Sequence, residues 1–367
     1  MSPPRIVIGA GGTAGHVVPA LAVADALRDE GAEVIFVGGE RAERQLVPDA
    51  GFELRVLRVA PLPRDSPVAA GRAALIDATA LPRAVSLLRE LRPGAVLGAG
   101  GYVAGPTGLA GVLRRLPLIL MEADSHPGLT TRLLAPVARR VFLAFPVEGR
   151  EGDRYVVTGR PVPRPATDRD AARARFGIGP EETCVLIFGG GQGARSINHA
   201  AVEAFSGARF RVLHAAGERD LPTLHAPGPH YDLRGYIPNF GEALLASDLV
   251  VARAGGSVFE IAAHGRPAIL IPYPHATADH QSANARFMAQ AGAAVVIPDH
   301  ELTGARLAHE VARLLADPSG LAAMASASAQ LARPDAARVI AAEVLEAARG
   351  RSRRDARDRP RRDARGR

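Results

Sequence analysis

The sequence predicts an α/β protein of two domains, each with a parallel sheet, that face a central cleft. Strand-like apolar runs alternate with helix-like stretches along the whole chain. A unit of strand, glycine turn and helix occurs twice, from Ile6 to Leu27 and from Val185 to Asn198. A chain of 367 residues is also long for a single core. Two such units suit an enzyme that joins two phosphorylated substrates, because each offers backbone N–H groups to an anion.

The first domain is predicted over residues 1–160 and the second over residues 161–335. Between them, the proline-rich and charged segment Gly159–Asp170 indicates a linker. A helix over residues 336–349 follows. The predicted strands are Arg5–Ile8, Glu33–Val37, Glu53–Val56, Ala95–Leu97, Leu118–Met121, Arg140–Leu143, Tyr155–Val157, Cys184–Phe188, Phe210–His214, Tyr231–Arg234, Leu249–Ala252, Ala268–Ile271 and Ala294–Ile297.

The composition excludes several classes of protein. The chain has no lysine, which rules out a Walker-type P-loop, a Schiff-base mechanism and attachment of pyridoxal phosphate. The single cysteine, Cys184, cannot form an intramolecular disulfide. Neither a signal peptide nor an apolar run long enough to span a bilayer is expected.

The net charge of +7 is concentrated at the C-terminus. From Arg349 onward there are ten arginines and three aspartates, so the remainder is close to neutral. Residues 350–367 are predicted to form a disordered tail, because they carry no large apolar side chain. The tail either contacts an anionic lipid or nucleic acid, or is simply solvated, and its charge does not indicate a nucleic-acid-binding fold.

The first glycine turn, Gly9–His16, permits two interpretations. Its spacing fits G-x-G-x-x-[GA], and Glu40 near the end of the second strand could bind a ribose, so an NAD- or FAD-dependent oxidoreductase is a rival. The extra glycines and the adjacent His16 instead favour a diphosphate site with a base for a hydroxyl nucleophile. His16 could alternatively serve only as a local hydrogen-bonding residue at the turn.

Two further turns of the first domain follow strands. Gly98–Pro106 repeats the sequence of strand, glycines and helix start. Glu122 and Asp124 follow the strand ending at Met121, where ligand-facing residues are expected in parallel sheets. The alternative is that these carboxylates cap the next helix.

The second domain offers three candidate loops. In Gly189–Asn198, Gln192 and Arg195 could reach a diphosphate. In Arg253–Pro267, Glu260 could bind ribose hydroxyls or merely favour the helix dipole. Pro272–Ala285 is rich in groups that suit a hexose, and its spacing matches no zinc pattern. Those groups are His275, Asp279, His280, Gln281 and Asn284.

Together these motifs resemble the MurG family of peptidoglycan N-acetylglucosaminyltransferases. The segments GAGGTAGHVVPALA, GAGGYVAGP, GGGQGARSIN, RAGGSVFEIAAHGRPAILIPYPH and DHQSANA occur there in the same order, and the resemblance covers about Arg5 to Arg349. It implies a GT-B fold with two Rossmann-like domains, in which the helix over residues 336–349 returns to the first domain. It also implies a metal-independent, inverting transfer of GlcNAc from UDP-GlcNAc to the C4 hydroxyl of a muramyl sugar on a polyprenyl diphosphate, with no cofactor.

The resemblance assigns residues by position, with His16 as the catalytic base, Tyr236 and Ile237 at the uracil and Glu260 at the ribose. On the acceptor side it implies Gly12, Thr13, Gly15, Gly101, Tyr102, Glu122, Asp124 and Asn284. On the donor side it implies Gly191, Gln192, Arg195, Tyr236, Ile237, Gly256, Ser257, Glu260, His280 and Gln281.

The chain departs from the family pattern at three places. The family commonly has H-E-Q-N at Met121–Asp124, a serine at Gly191 and an arginine at Pro163, with Arg164 here one place later as the candidate donor contact. The first departure motivates an alternative, a paralogous GT-B transferase with another lipid or small-molecule acceptor. A non-catalytic sugar-nucleotide-binding protein is a further alternative.

A lipid acceptor implies contact with a membrane. Ala74–Pro93 mixes leucine, isoleucine and valine with arginines, which suits an interfacial helix on an anionic bilayer. The alternative is an amphipathic helix packed on the sheet. The resulting expectation is a peripheral protein on the cytoplasmic side of the cell membrane, with no nucleic-acid partner.

Overall fold

The computed structural model describes residues 3–59, 67–276 and 279–357, with the backbone alone described at 67–78 and 351–357. The chain forms two compact units. One comprises Met1–Pro161 with Asp335–Arg367, and the other comprises Val162–Pro334. Each unit is built on a parallel sheet covered by helices, so the predicted class of two Rossmann-like α/β domains is confirmed.

The sheet of the first unit has seven strands in its described part, in the order β3-β2-β1-β4-β5-β6-β7. Its strands are buried on both faces except at the two edges, β3 and β7, which explains the continuous apolar runs in the sequence. In β1, Ile6 and Ile8 join one core cluster and Val7 joins the other. The strands are Arg5–Gly9 (β1), Glu33–Gly38 (β2), Glu53–Val56 (β3), Ala95–Gly98 (β4), Leu118–Glu122 (β5), Arg140–Leu143 (β6) and Tyr155–Val157 (β7).

Five helices of the first unit connect these strands within the described residues. The described side chains of the third helix bury Leu88 in the core, with Leu81 and Val85 packed against it. Those contacts are the ones expected of an amphipathic helix on a sheet, and the side chains of Leu75 and Ile76 lie outside the described residues. The helices are Ala14–Asp29 (α1), Ala42–Asp49 (α2), Pro67–Leu91 (α3), Ala104–Leu113 (α4) and Leu129–Leu134 (α5).

The second unit has a six-stranded sheet in its described part, in the order β10-β9-β8-β11-β12-β13. Its strands are Cys184–Phe188 (β8), Arg211–Ala215 (β9), Tyr231–Arg234 (β10), Leu249–Ala252 (β11), Ala268–Leu270 (β12) and Ala294–Val296 (β13). Its helices are Arg169–Arg175 (α6), Arg195–Ala204 (α7), Phe240–Ala246 (α8), Val258–Ala263 (α9), His280–Gln290 (α10), Gly304–Leu315 (α11) and Pro318–Gln330 (α12).

The last helix, Ala336–Arg357 (α13), belongs to the first unit and packs against α1. Ile340 and Val344 are fully buried in the same cluster as Ile6. Arg139 also donates to Glu343 and Glu346, each at 2.6 Å. The prediction of disorder from residue 350 is wrong as far as Arg357, because arginine and alanine favour a helix. Residues 358–367 lie outside the described residues.

The strand order reverses near the centre of each sheet, where the first strand of the sheet lies beside a strand that is distant in sequence. Gly9 of β1 pairs with Gly98 of β4, and Phe188 of β8 pairs with Ala252 of β11. Ligands of open parallel sheets bind beyond the carboxyl ends of strands at such points. Among the described residues, no helix has both the length and the apolar character to cross a membrane.

Candidate active site

Two glycine turns of the first unit lie side by side at the carboxyl end of its sheet. They follow β1 and β4, whose last residues are paired. A Cβ at Gly101 would lie 1.9 Å from the carbonyl oxygen of Gly11, and Gly101 has a φ of 76°. Only glycine avoids both the clash and the backbone strain. The glycines therefore permit the close contact of the two turns.

His16 lies in the first turn of α1, against the turn that follows β4. A Cβ at Gly100 would lie 3.1 Å from His16 Nδ1, and this nitrogen is buried with no hydrogen-bond partner among the described residues. Burial lowers the pKa of His16 below 6.5. Asp124 and Glu43 oppose this shift, and Arg160 reinforces it. The imidazole is therefore mostly neutral at pH 7 and able to accept a proton.

Glu43 is a buried carboxylate that sequence reasoning missed in favour of Glu40, which is exposed. The Glu43 side chain accepts the N–H of Gly12 and the N–H of Gly39, both at 2.8 Å, and the hydroxyl of Tyr102 at 3.3 Å. Burial is the main cause that raises the pKa of Tyr102 to about 12, and the negative charge of Glu43 raises it further. Glu43 lies in the first turn of α2, just after a strand, and this position is the sequence signal that could have identified it.

Glu122 ends β5 and is also buried. One of its oxygens accepts the N–H of Gly128 and the hydroxyl of Thr131 at 2.8 Å, and the other accepts the N–H of Asp124 at 3.4 Å. Burial raises the pKa of Glu122 despite the donors of Gly128 and Thr131. These contacts organise the segment that leads into α5, but they reach the N–H of Gly128, which precedes the helix, rather than an N–H of its first turn.

Arg160 is a second functional candidate that the sequence did not reveal. Its side chain is only 6% exposed and lies beside the turn of His16. It donates to the carbonyl of Gly15 at 2.5 Å and to that of Ala123 at 2.8 Å, and it lies 3.5 Å from Asp124 Oδ1. Nothing in the local sequence distinguishes it from the other arginines near the linker.

The glycine turn of the second unit follows β8 and leads into α7. A Cβ at Gly193 would lie 1.8 Å from the carbonyl oxygen of Ala216, which follows β9. This turn therefore also packs so closely against a neighbouring segment that only glycine fits. Gly191 and Gln192 are exposed on the turn. Arg195 begins α7, is 73% exposed, and lies 3.8 Å from the buried carboxylate of Asp220.

A buried polar network supports this turn from within the second unit. Asn198 donates to the carbonyl of Ala216 at 2.9 Å and to Asp220 at 3.0 Å. His214 contacts the Asn198 side-chain oxygen at 3.1 Å and the Tyr231 hydroxyl at 2.7 Å. Burial lowers the pKa of His214 to about 4. The network fixes the start of α7 and the Asp220 carboxylate beneath Arg195.

Arg253 links the turn after β11 to α7. It donates to Asp299 at 2.6 Å and to the hydroxyl of Ser196 at 2.8 Å, and Ser196 donates to the same carboxylate at 2.7 Å. Only 10% of the Arg253 side chain is exposed. The pairing depends on a contact between distant segments, which the sequence does not reveal.

The remaining predicted residues of the second unit lie around α9 and α10. Gly256 and Ser257 precede α9, and Glu260 lies in its first turn. Ile237 is 1% exposed, whereas the adjacent Tyr236 is 60% exposed.

Three of the predicted polar residues lie on α10 and one precedes α6. His280 begins α10. Gln281 accepts the N–H of Tyr273 at 2.9 Å. Asn284, predicted on the acceptor side, lies in the second unit and donates to the carbonyl of Ala254 at 3.0 Å, so it holds the turn before α9. Arg164 is exposed in the same unit. In the described part of the chain, no group of three or more acidic, histidine or cysteine side chains converges as metal ligands would.

Comparison with known proteins identifies two matching domains. Residues 6–143 match the glycosyltransferase family 28 N-terminal domain, and residues 184–340 match the glycosyltransferase family 28 C-terminal domain. These two ranges fall in the first and second structural units, apart from residues 335–340, which belong to the first unit.

Three similar proteins span nearly the whole chain. Relatives from Moorella thermoacetica and Rubrobacter xylanophilus are 41% and 42% identical, cover 93% and 89% of this chain, and are themselves covered to 98% and 99%. Both are named UDP-N-acetylglucosamine–N-acetylmuramyl-(pentapeptide) pyrophosphoryl-undecaprenol N-acetylglucosamine transferase. The crystal structure of MurG from Acinetobacter baumannii has a TM-score of 0.72 at 28% identity, covering 94% of this chain and 100% of that one.

Proposed function

This chain belongs to the MurG family of glycosyltransferase family 28, and from that membership we propose the reaction that it catalyses. It transfers GlcNAc from UDP-GlcNAc to the muramyl C4 hydroxyl of undecaprenyl-diphosphate-linked MurNAc-pentapeptide, the step from lipid I to lipid II in peptidoglycan synthesis. The full-length similarity to transferases named for this donor and acceptor carries the proposal. Neither an oxidoreductase nor a transferase with another acceptor finds support among these relatives.

The acceptor hydroxyl would be activated by His16. In the proposed step, the C4 oxygen bonds to the anomeric carbon of GlcNAc as the bond from that carbon to the UDP oxygen breaks. UDP leaves with the bonding electrons, and the hydroxyl proton passes to His16. Attack opposite the leaving group inverts the anomeric configuration. The low pKa of His16 supports this role, because the base must be neutral before it accepts the proton.

The lipid diphosphate would lie at the N-terminus of α1. The first N–H groups of a helix have no partner within it, and the helix dipole favours an anion there. The N–H of Gly12 is already bound by Glu43, so the diphosphate would use Thr13 and Gly15 rather than Gly12. Gly101 and Tyr102, on the adjacent turn, would border the acceptor.

The donor would be bound by the second unit. Gln192 and the exposed Arg195 would contact the UDP diphosphate, since Arg195 presents its charge at the start of α7. Glu260 would accept hydrogen bonds from the ribose. Ile237 and Tyr236 would border the uracil, with Gly256 and Ser257 near the diphosphate and His280 and Gln281 near the GlcNAc. Arg164 is a further candidate donor contact.

Membrane contact would use an apolar surface on α4, α5 and the 3-10 turn Ala135–Val137 that follows α5, and α4 packs against α5. We define the α4–α5 face as Leu109, Leu113, Leu129, Leu133 and Val137. Each of these side chains is between 39% and 67% exposed. Leu129 and Leu133 are four residues apart and therefore share one side of α5. Arg114, Arg115 and Arg132 adjoin these residues in sequence, a composition suited to an anionic lipid surface.

The decisive experiment is transfer of radiolabelled GlcNAc from UDP-GlcNAc to a lipid I analogue in the presence of a chelator. The label is expected in the lipid product, and UDP-GlcNAc but not NAD is expected to raise the melting temperature. Binding of UDP-GlcNAc without any transfer would overturn the proposed acceptor. Stabilisation by NAD alone would overturn the transferase.

A further inference from the structure

Arg160 is a buried cation next to the candidate base. It follows β7, and only 6% of its side chain is exposed. Arginine is rarely buried to this extent unless its charge is paired and its N–H groups are hydrogen-bonded. Arg160 meets that condition by binding two loops at once, through the carbonyls of Gly15 and Ala123 and the carboxylate of Asp124.

The contact with Gly15 has a specific cause in the sequence of α1. A helical carbonyl normally accepts the N–H of the residue four positions later. For Gly15 that residue is Pro19, which lies inside α1 and has no N–H. The Gly15 carbonyl therefore lacks its helical donor, and Arg160 supplies one at 2.5 Å. Because Gly15 immediately precedes His16, this bond acts directly on the backbone that carries the imidazole.

The second contact anchors the segment after β5. Arg160 donates to the carbonyl of Ala123 at 2.8 Å and lies 3.5 Å from Asp124, whose side chain is 39% exposed. The charged groups that act on His16 come from three elements: Asp124 after β5, Arg160 after β7 and Glu43 on α2. Arg160 thus holds its own charge and that of Asp124 near the imidazole.

We propose that Arg160 is a positioning residue for the transfer reaction, because its guanidinium ties the turn that carries His16 to the segment that carries Asp124. The catalytic consequence rests on the proposed function. The guanidinium is planar and can reach both carbonyls at fixed angles, which an ammonium cannot do. The two loops keep one relative position, and the imidazole keeps one orientation toward the acceptor hydroxyl.

Two substitutions separate the geometry from the charge. Arg160→Lys keeps a cation but loses the planar arrangement of donors, and Arg160→Gln loses both. Both are expected to lower kcat by roughly 10- to 100-fold, the usual cost of a small misplacement. The KM for UDP-GlcNAc should change by less than about twofold, because the donor side is not touched. The matched control is Arg154→Gln, since Arg154 precedes the same strand and donates to the carbonyls of Ala135 and Pro136.

A measurement without substrate tests the same link. The imidazole signals of His16 are followed by NMR against pH and assigned by their absence from His16→Ala. Arg160→Gln should raise the pKa of His16 by about half a pH unit or more, since it removes a nearby positive charge. Asp124→Asn should lower it, and Arg160→Lys should leave it near the wild-type value. Because Asp124 is partly exposed, its variant tests the charge relationship even where Arg160→Gln does not fold.

The outcomes distinguish this inference from the proposed function. If both Arg160 variants keep kcat and the His16 titration at the level of Arg154→Gln, the positioning role is wrong. It is equally wrong if Asp124→Asn leaves the titration unchanged. If instead the titration shifts as expected but His16→Ala keeps full transfer activity, the role of His16 as base is wrong and the structural link to Arg160 stands.

Discussion

The carboxylate of Glu43 binds the backbone of Gly12 directly, accepting its N–H at 2.8 Å within the first glycine turn. The other oxygen of the same carboxylate binds Gly39 at 2.8 Å. One buried side chain therefore shapes the turn from below and uses an N–H group that an anion could otherwise bind.

Glu43→Gln is expected to destabilise the first unit by about 1–3 kcal/mol, because the amide places N–H groups against a backbone N–H. It should also raise the KM for the lipid acceptor. Urea unfolding and steady-state kinetics measure both effects. Glu40→Gln is the control, because Glu40 is exposed and three residues away on the same segment. Equal behaviour of the two variants would refute the role of Glu43.

The pH dependence of kcat/KM should report the environment of His16. Burial lowers the pKa of His16 below 6.5, so the neutral base persists as the pH falls through 6.5. Activity should then be lost only at lower pH, where the imidazole becomes protonated. A pH–rate profile at low substrate concentration measures this acidic limb. An apparent pKa above 6.5 would contradict the assignment.

His214 should make the second unit sensitive to acid. Its folded-state pKa of about 4 lies below the value near 6.5 expected when unfolded. The unfolded chain therefore binds the proton first as the pH falls. This contribution to stability is present above about pH 6.5 and is lost toward pH 4, at a cost on the order of 3 kcal/mol.

His214→Gln should flatten this acid-side loss of stability while lowering stability at neutral pH. Urea unfolding at about pH 7 and about pH 5 measures both effects. His309→Gln is the control, because His309 is exposed on α11. If the His214 variant loses as much stability on acidification as the control does, His214 is not the titrating group.

The α4–α5 face should control binding to anionic vesicles. The double substitution Leu129→Ser with Leu133→Ser is expected to weaken sedimentation with such vesicles by about tenfold or more, because each buried leucine contributes roughly 1.5–3 kcal/mol. Val56→Ser is the control, since Val56 is an exposed apolar residue on β3. Unchanged binding of the double variant would place the membrane contact elsewhere.

Most of the strands could be predicted from the sequence because they are buried on both faces and therefore appear as short apolar runs. Each of the thirteen predicted strands is present with its ends within one residue, as for Arg211–Ala215 against the predicted Phe210–His214. The glycine turns were also predictable, since close packing at Gly101 and Gly193 excludes a side chain. The extension of α13 to Arg357 was not, because composition alone could not distinguish a polar helix from a disordered tail.

The supporting residues of the site could not be predicted in the same way. Arg160 and Arg253 act through contacts with segments far away in sequence, and no local spacing marks them. Glu43 is marked only by its place in the first turn of α2. Residues picked for binding, such as Glu122 and Asn284, turn out to have internal hydrogen bonds. Sequence motifs located the turns, whereas tertiary contacts decide which residues of each turn support the structure.

The central claim is tested most directly by His16→Ala in the transfer assay with UDP-GlcNAc and a lipid I analogue. The variant should lose roughly 10²- to 10⁴-fold in kcat, the usual contribution of a general base. UDP-GlcNAc should still raise its melting temperature as in the wild type, because the proposed donor site lies in the other unit. Transfer by His16→Ala at close to the wild-type rate would contradict the role of His16 as the base.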